Sequence, residues 1–301
     1  MRCIDILDAA PGKLKIITLS EFTTWQIGGE VVSITALSLD ELVEIVLFLE
    51  KNSIPWQILG KGSNTLAPSL GWSGVVVRLS GELAQFSFNG EFLHAGGGAH
   101  LPSMAASACS HGLSGLVFAV GIPGTSGGAV FMNAGAYGSS ISDFVHKITV
   151  VHIDGNIEYL SSNDCGFGYR FSNFQKNRSV VAEVTLKLLD GISSKEKLRR
   201  DARAILQKRR DSFPLHAPNA GSVFRRPVNG PPPGKLIEDC ELKGVKIGGA
   251  MVSFTHANFI ENTGSATSKD VIDLIKLVIN RVREVSGITL RTEVRLLGAE
   301  E

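Results

Sequence analysis

The sequence predicts a protein that combines α-helices and β-strands in two or three domains. The chain has 301 residues, and a single hydrophobic core seldom serves a chain of that length. Short segments rich in β-branched residues indicate strands, and separate amphipathic segments with helical spacing indicate helices. Changes in these patterns along the chain place the expected domains at residues 1–80, 81–212 and 213–301.

Composition and charge argue against several classes of protein. The chain is 44% hydrophobic and 20% charged, and its formal net charge is +1. Such a balance gives no electrostatic reason to expect nucleic acid or an anionic membrane as the main partner, and no window is apolar enough for a membrane span. The four cysteines are far apart without a CxxC pair, so reduced thiols and no metal site are expected. Met1–Asp5 opens no unbroken apolar run, which favours a cytoplasmic protein without a signal peptide.

Residues 1–80 are expected to alternate between strand and helix. Val31–Thr35 is typical of a strand, and apolar residues spaced i, i+3, i+4 and i+7 after Asp40 predict a helix. Trp56–Leu59 and Val75–Leu79 predict two further strands. This order indicates a small α/β unit, in which a ligand commonly meets the C-terminal end of a strand.

The middle of the chain combines short strands with one helix. The helix is expected at Leu101–His111, where Gly112 ends it. Asp154-Gly155-Asn156 is a hairpin turn signal. The expected strands are Phe86–Phe88, Glu91–Ala95, Lys147–Ile153 and Ser179–Leu189.

A linking helix and a proline-rich turn are expected next. The helix spans Lys195–Arg210, and its basic face is typical of a solvated surface in a nearly neutral chain, with phosphate attraction as the alternative. Pro231–Pro233 and Gly234 predict a turn without helix. The apolar face of the linking helix carries Leu198, Ala202, Ile205 and Leu206.

A capped helix and a strand are expected at the end of the chain. Thr267–Asp270 fits a capping box. The apolar stripe from Val271 to Val285 predicts the helix that follows, and Gly287 predicts its end. Thr289–Leu297 alternates in polarity, which is typical of a closing strand.

Two glycine-rich segments are the most informative parts of the sequence. Residues 121–138 hold six glycines and three alanines, and such a run costs folding entropy unless bare main chain is needed. Exposed amides of this kind bind phosphate oxygens. Because Leu59–Leu66 has the same character, one long phosphorylated ligand held from two sides is expected. The run at residues 121–138 does not fit GxGxxG or GxxxxGK[ST], which argues against a Rossmann or P-loop protein.

Five motifs in a fixed order carry a resemblance to a known family. They are Gly60-x-Gly62-Ser63-Asn64, the run from Ile122 to Gly138, Tyr169-Arg170-x-Ser172-x-Phe174, Asn219–Phe224 and Glu293-Val294-Arg295. From about residue 22 to residue 298 the chain resembles the UDP-N-acetylenolpyruvoylglucosamine reductases (MurB). The resemblance implies a two-part FAD-binding unit of the vanillyl-alcohol-oxidase/PCMH type plus a C-terminal α+β substrate-binding domain. Five residues separate Phe174 from Val180, which resembles the shorter subtype that lacks a tyrosine-bearing insertion.

The resemblance also implies a reaction. It is the NADPH-dependent, FAD-dependent reduction of UDP-N-acetylenolpyruvoylglucosamine to UDP-N-acetylmuramate in peptidoglycan precursor synthesis. No side chain donates hydride, so a cofactor is required, and the implied source is the flavin N5. Ser222 is implied to protonate the α-carbon of the enolpyruvyl group, while Arg170 and Glu293 stabilise the enolate-like intermediate.

The residues expected to bind FAD lie in the two glycine-rich segments. They are Gly60, Lys61, Gly62, Ser63, Asn64, Gly121, Ile122, Pro123, Gly124, Thr125, Gly128, Ala134 and Gly135. The nucleotide-sugar substrate carries two negative charges, which favours basic contacts. Its expected partners are Tyr169, Arg209, Arg210, Arg225, His256 and Asn258, in a protein expected to be a monomer.

Two other functions stay open at this point. The first is a flavin oxidase or dehydrogenase of the same fold that acts on a sugar or an alcohol. The second is a catalytically inactive nucleotide-sugar-binding protein. Lys61 and Gln26 favour the second, because other residue types are usual there in the family that the chain resembles; Phe213 and Arg226 also depart from its pattern.

Overall fold

Residues 9–299 are described by a computed structural model, and they group into two compact units. Unit 1 comprises residues 9–15, 32–60 and 74–208, and unit 2 comprises residues 16–31, 61–73 and 209–299. Met1–Asp5 and Cys3, considered above, lie outside the described residues. The division into three domains stays a prediction. No helix within residues 9–299 has the length and apolar character needed to cross a membrane.

Strands and helices are numbered in chain order. The strands are β1 (Lys13–Thr18), β2 (Glu30–Ala36), β3 (Trp56–Ile58), β4 (Thr65–Leu66), β5 (Val75–Leu79), β6 (Phe86–Asn89), β7 (Phe92–Gly96), β8 (Gly135–Ala136), β9 (Ser139–Ser140), β10 (Val145–Val151), β11 (Ile157–Leu160), β12 (Val180–Lys187), β13 (Lys246–Ile247), β14 (Ala250–Val252), β15 (Ile260–Asn262) and β16 (Arg295–Leu296). The α-helices are α1 (Leu39–Lys51), α2 (Leu101–His111), α3 (Ser126–Phe131), α4 (Lys195–Ser212), α5 (Pro233–Asp239) and α6 (Ser268–Ser286).

The first part of unit 1 consists of a four-stranded sheet and helix α1. The strand order is β1-β2-β5-β3, and β5 runs parallel to both β2 and β3. Helix α1 begins after Ser38, whose side chain accepts a hydrogen bond from the Glu41 amide. Leu42, Ile45 and Leu49 lie on its buried face. The predicted order of strand, helix and two strands is confirmed.

A five-stranded antiparallel sheet forms the second part of unit 1. Its strand order is β11-β10-β12-β7-β6. The predicted hairpin turn joins β10 to β11, and the Gly155 amide donates to the His152 carbonyl at 2.9 Å. Helix α2 ends at Gly112, whose φ of 86° is in the left-handed region that glycine tolerates. Leu198 of α4 is buried in the same core, with Ala202 packed beside it, as predicted.

Unit 2 has its own hydrophobic core around a three-stranded sheet. The sheet order is β13-β14-β15, and β16 pairs in parallel with β4. Trp25 is fully buried, and its indole N–H donates to the Ile260 carbonyl at 2.7 Å. The predicted capping box is present at Thr267, where helix α6 begins, and Gly287 ends the helix.

Three expectations about the last region were wrong in detail. Pro233 and Gly234 belong to helix α5, because a proline at the first helical position lacks only an amide that would have no intrahelical partner. Val285 is 54% exposed, since the last turn of α6 extends past the buried stripe, which ends at Val282. The expected strand Thr289–Leu297 is reduced to β16 plus a single bridge between Thr292 and Phe224.

Three cysteines of the described residues are free and buried. They are Cys109, Cys165 and Cys240. Burial, followed by the charge of Asp164, raises the pKa of Cys165 to about 11. A thiol with such a pKa stays protonated near neutral pH and is a poor nucleophile, so Cys165 acts as a packing residue.

Candidate active site

Main-chain hydrogen bonds connect the glycine-rich segment of unit 1 to residues at and just before the start of α2. The amide of Leu101 donates to the Gly124 carbonyl at 3.1 Å, and the amide of Gly127 donates to the Gly97 carbonyl at 2.8 Å. Thr125 caps helix α3, because its Oγ1 accepts a hydrogen bond from the Gly128 amide at 3.2 Å. The segment is therefore a fixed turn leading into a helix.

The glycines of this segment serve two different purposes. A Cβ on Gly127 would lie 2.9 Å from the Gly97 carbonyl oxygen, so this glycine permits close packing of two main chains. A Cβ on Gly128 would meet only Oγ1 of Thr125 within 4 Å, at 3.4 Å, and Gly128 is exposed. Gly128 therefore leaves open space that a Cβ would fill.

The two glycine-rich segments meet at Thr125 within unit 1. A Cβ on Gly60 would lie 3.0 Å from Oγ1 of Thr125. Gly60 therefore allows close packing against this buried threonine, whereas Gly128 leaves its main chain bare. Gly135 has a structural role, since its Cβ would lie 2.6 Å from the Ser139 carbonyl oxygen in the β8–β9 hairpin. The remaining predicted residues of this segment are Gly121, Ile122, Gly124 and Ala134, which are partly buried, and Pro123, which is exposed.

Arg170 lies at the tip of a two-residue hairpin in unit 1. Gly168 and Phe171 exchange main-chain hydrogen bonds of 3.0 and 3.2 Å, which leaves Tyr169 and Arg170 between them. The φ of Arg170 is 54°, a left-handed conformation that is uncommon for residues other than glycine. Strain of this kind is often found at functional sites. The Gln175 side-chain amide holds the strained residue by donating to the Arg170 carbonyl at 3.1 Å.

Asn64 connects the predicted cofactor loop of unit 2 to Glu293. Its side-chain amide donates to the Glu293 carbonyl at 3.0 Å, and the Arg295 amide donates to the Asn64 carbonyl at 3.0 Å. Gly62 has a φ of 59°, and its Cβ would lie 2.3 Å from the Phe22 carbonyl oxygen. Only glycine therefore fits at position 62. Of the other predicted loop residues, Lys61 is exposed and Ser63 is partly buried.

Ser222 and Glu293 are held by the same short stretch of main chain. Val223 donates its amide to the Asn258 carbonyl at 2.9 Å and accepts the Glu293 amide at 2.7 Å. Gly221, which precedes the serine, has a φ of 74°. Both Ser222 and Glu293 are partly buried. Unit 2 therefore brings these two predicted catalytic residues onto neighbouring backbone segments.

Two partly buried arginines of unit 2 create a positive environment. Burial and then the charge of Arg225 lower the pKa of Arg295. Nε of Arg225 is buried and has no hydrogen-bond partner among the described residues. A buried donor without a partner costs free energy, and a guanidinium is suited to carboxylate or phosphate oxygens. Arg225 can therefore bind an anion.

His256 and Arg209 lie around an aromatic cluster in unit 2. Phe213 packs against His256 and Phe259, with ring centroids 5.5 and 5.1 Å apart, and the guanidinium carbon of Arg209 lies 4.8 Å from its ring. Burial lowers the pKa of His256, so its imidazole is neutral near pH 7. The aromatic ring of Phe213, unusual for the family that the chain resembles, is partly buried and packs within this cluster. Arg210 is exposed.

Comparisons with known proteins identify the family. A model described as "FAD binding domain" matches residues 32–161, and a model described as "UDP-N-acetylenolpyruvoylglucosamine reductase, C-terminal domain" matches residues 213–297. The UDP-N-acetylenolpyruvoylglucosamine reductase of Bacillus pumilus (strain SAFR-032) is 38% identical over 299 residues, 98% of each chain. The chain belongs to the UDP-N-acetylenolpyruvoylglucosamine reductase family.

Further members of this family agree over most of their length. The reductase of Heliobacterium modesticaldum (strain ATCC 51547 / Ice1) is 41% identical over 282 residues, which cover 93% of this chain and 89% of the relative. The crystal structure of UDP-N-acetylenolpyruvylglucosamine reductase (MurB) from Thermus caldophilus matches with a TM-score of 0.81 at 33% identity, covering 94% of this chain and 98% of that one. The resemblance drawn from five motifs and the α+β fold with an FAD-binding unit are confirmed.

The residues present fit the FAD that this family requires. Gly128, in the first turn of helix α3, offers bare main chain where a Cβ would fill open space, and such main chain suits a pyrophosphate. Arg170 belongs to unit 1, whereas Ser222 and Glu293 belong to unit 2. The convergence of these three residues on one ligand stays a prediction, as do the individual roles of all the predicted site residues.

Sequence reasoning missed the side chains that hold the site residues in place. Gln175 and Asn133 support the Arg170 hairpin, because the Asn133 amide donates to the Gly168 carbonyl at 2.9 Å. Asn258 was expected to contact substrate, yet both polar ends of its side chain bond the Phe224 main chain. The sequence signal for this role was an asparagine within an apolar segment, because a side-chain amide that becomes buried requires hydrogen-bond partners.

Proposed function

We propose that the chain reduces UDP-N-acetylenolpyruvoylglucosamine to UDP-N-acetylmuramate for peptidoglycan precursor synthesis, with NADPH as the reductant and FAD as the cofactor. The observation that carries the proposal is the 38% identity to the Bacillus pumilus reductase over 98% of both chains. The paired placement of Ser222 and Glu293 in unit 2 supports it. FAD, when bound, supplies the hydride that adds to the β-carbon of the enolpyruvyl group.

Main-chain groups of both glycine-rich segments are proposed to hold the cofactor. Gly128 is suited to its pyrophosphate because no Cβ separates its backbone from a ligand, and Gly60 and Thr125 are proposed to contact the cofactor beside it. Ser63 and Asn64 are proposed to add hydrogen bonds. The other proposed contacts are Lys61, Gly62, Gly121, Ile122, Pro123, Gly124, Ala134 and Gly135.

Ser222 is proposed to provide the proton that completes the reduction. Its O–H bond breaks as a C–H bond forms at the α-carbon, and the resulting alkoxide takes a proton from water. A hydroxyl is a weak acid, so this role requires neighbouring positive charge. Arg225 and Arg295 are two of the partly buried cations of the same unit, and positive charge favours the alkoxide form of a nearby hydroxyl.

Arg170 and Glu293 are proposed to stabilise the enolate-like intermediate that forms on the enolpyruvyl group. The guanidinium of Arg170 can donate two parallel hydrogen bonds to a carboxylate. Its strained backbone, which Gln175 holds, fixes the point from which the side chain extends. The Glu293 main chain is held on both sides by Asn64 and Val223. Such fixed groups stabilise a transition state without reorganising during the reaction.

The negatively charged nucleotide sugar is proposed to bind basic and neutral polar groups. Arg225 has a buried donor without a partner, which an anionic oxygen would satisfy. His256 is neutral near pH 7 because burial lowers its pKa, and its Nδ1 accepts the Asn258 amide at 3.2 Å, so its Nε2–H can donate a hydrogen bond without adding charge. Tyr169, Arg209 and Arg210 are proposed as further contacts. Action without nucleic acid or membrane is also proposed, since the formal net charge is only +1, and the protein is further proposed to be a cytoplasmic monomer.

The Ser222→Ala variant tests the proposed acid. General acid catalysis contributes roughly 10²–10⁴-fold, so reoxidation of the reduced protein by the enolpyruvyl substrate should slow by about that factor. Reduction of the bound flavin by NADPH should stay within about twofold of the wild-type rate, because no substrate proton is transferred in that step. Both rates are measured anaerobically by stopped-flow absorbance.

Ser265→Ala is the matched control, because Ser265 is an exposed serine of the same unit. Its two rates should equal those of the wild type. The assignment of Ser222 is wrong if its alanine variant is reoxidised by substrate as fast as this control.

A further inference from the structure

Asn258 holds the main chain that follows Ser222. Its side chain is 5% exposed, and its Oδ1 accepts the Phe224 amide while its Nδ2 donates to the Phe224 carbonyl, each at 3.0 Å. The Asn258 carbonyl also accepts the amide of Val223 at 2.9 Å. One residue therefore makes three hydrogen bonds to the two residues after the proposed acid.

The same stretch of main chain also holds Glu293. The carbonyl of Val223 accepts the Glu293 amide at 2.7 Å, and the amide of Arg225 donates to the Arg291 carbonyl at 2.8 Å. The Asn258 side chain occupies the position of a neighbouring strand along one edge of residues 223–225, and residues 291–293 occupy the other. A shift of Asn258 would therefore move the backbone on which both Ser222 and Glu293 depend.

We propose that Asn258 is a positioning residue for Ser222 and Glu293. This inference rests on the proposed function, and it assigns to Asn258 a role through the main chain instead of through contact with the nucleotide sugar. Catalytic groups must be held within about 0.5 Å of their productive geometry by supporting hydrogen bonds. A misplacement of about 1 Å can cost about 10²-fold in rate.

Asn262 offers a matched control for this role. It is 6% exposed, belongs to the same unit and lies four residues further along the chain. Its amide donates to the Trp25 carbonyl at 2.9 Å, and its Oδ1 accepts the amides of Gly264 and Ala266. None of these partners lies in residues 222–225 or 291–293. Loss of a buried amide at Asn262 therefore tests stability without disturbing the proposed site.

The experiment compares Asn258→Asp with Asn262→Asp in the FAD-loaded, full-length protein. The carboxylate in Asn258→Asp can still accept the Phe224 amide, but it repels the Phe224 carbonyl. Reoxidation by the enolpyruvyl substrate should slow at least about tenfold, whereas flavin reduction by NADPH should stay within about twofold. For Asn262→Asp, both rates per bound flavin should stay within about twofold of the wild type, even if the variant unfolds at a lower temperature.

The pH profile separates positioning from a general loss of stability. Burial disfavours the charged form of the introduced carboxyl, and the protonated form regains a donor for the Phe224 carbonyl. The reoxidation rate of Asn258→Asp, relative to wild type, should therefore rise as pH falls through the pKa of that carboxyl. The relative rate of Asn262→Asp should not change with pH.

Equal reoxidation rates in the two aspartate variants would overturn the positioning role. If Asn258→Asp yields no flavoprotein, Asn258→Ser, which can keep one hydrogen bond, is measured in the same way, with the same tenfold slowing expected and the same overturning result. Failure of the proposed function itself would look different. In that case the wild-type protein would not be reoxidised by the enolpyruvyl substrate at all.

Discussion

Gly128 is the residue at which the cofactor cradle can be tested with the smallest change. It adopts helical backbone at the start of α3, and an added Cβ would meet only Thr125 Oγ1, at the ordinary contact distance of 3.4 Å. Alanine is favoured over glycine in a helix by up to about 1 kcal/mol. Gly128→Ala should therefore leave the apoprotein as stable as before or more so, while its methyl group obstructs bound FAD.

We expect the dissociation constant for FAD to rise at least tenfold in Gly128→Ala, which corresponds to about 1.4 kcal/mol. Fluorescence titration of the apoprotein with FAD measures the constant, and thermal unfolding of the apoprotein is the control for folding. Unchanged FAD affinity in a folded variant would show that Gly128 does not face the cofactor.

At the residue scale, sequence reasoning found residue types but could not find what holds them. Ser222 was singled out because it lies in a motif that resembles the family, and motifs are local in sequence. The positive φ of Arg170 was not predictable, because arginine does not favour it and the supporting Gln175 and Asn133 act through tertiary contacts. Likewise, the hydrogen bonds of Asn258 join residues 34 positions apart.

Among the elements, helix α6 shows how one cap contributes to stability in a pH-dependent way. Hydrogen bonds from the amide and side chain of Thr267 lower the pKa of Asp270, and the Gly249 amide contributes further. Because the folded pKa is below the unfolded one, the carboxylate stabilises the fold above the unfolded pKa. This contribution is lost as the pH falls through the lowered folded pKa.

Asp270→Asn should therefore lower the unfolding temperature by a few degrees at neutral pH. The difference from wild type should shrink as the pH falls through the lowered pKa of Asp270. Asp273→Asn is the control in the same helix, because Asp273 forms an ion pair with the exposed Lys269 and such surface pairs contribute little. Equal unfolding temperatures for Asp270→Asn and wild type at neutral pH would rule out the cap as a stabilising feature.

The elements that sequence reasoning recovered are those with local causes. Helices α1, α2, α4 and α6 were predicted from apolar spacing and cap residues, and their bounds agree within a few residues. The prediction of one closing strand was wrong because the backbone of this segment changes hydrogen-bond partners along its length. The main chain of Arg291 and Glu293 is hydrogen-bonded to residues 225 and 223. The main chain of Arg295 and Leu297 is instead hydrogen-bonded to Asn64 and Leu66. Alternation of polar and apolar residues cannot reveal such a change.

At the scale of the whole molecule, distant segments of the chain build each core. In unit 2, Trp25 bonds the Ile260 carbonyl, and Asn262 bonds the Trp25 carbonyl, over more than 230 residues of sequence. Sequence reasoning has no local signal for such contacts, so it could not show which N-terminal residues join the C-terminal ones. The family, in contrast, was predictable, because its motifs are spread over nearly the full length of the chain.

The visible spectrum of the purified protein under anaerobic conditions tests the central claim most directly. We predict a yellow protein with flavin absorbance that bleaches on addition of NADPH. Its colour should return when one equivalent of UDP-N-acetylenolpyruvoylglucosamine is added without oxygen. A colourless protein, or a reduced protein that regains its colour with oxygen but not with this substrate, would contradict the proposed function.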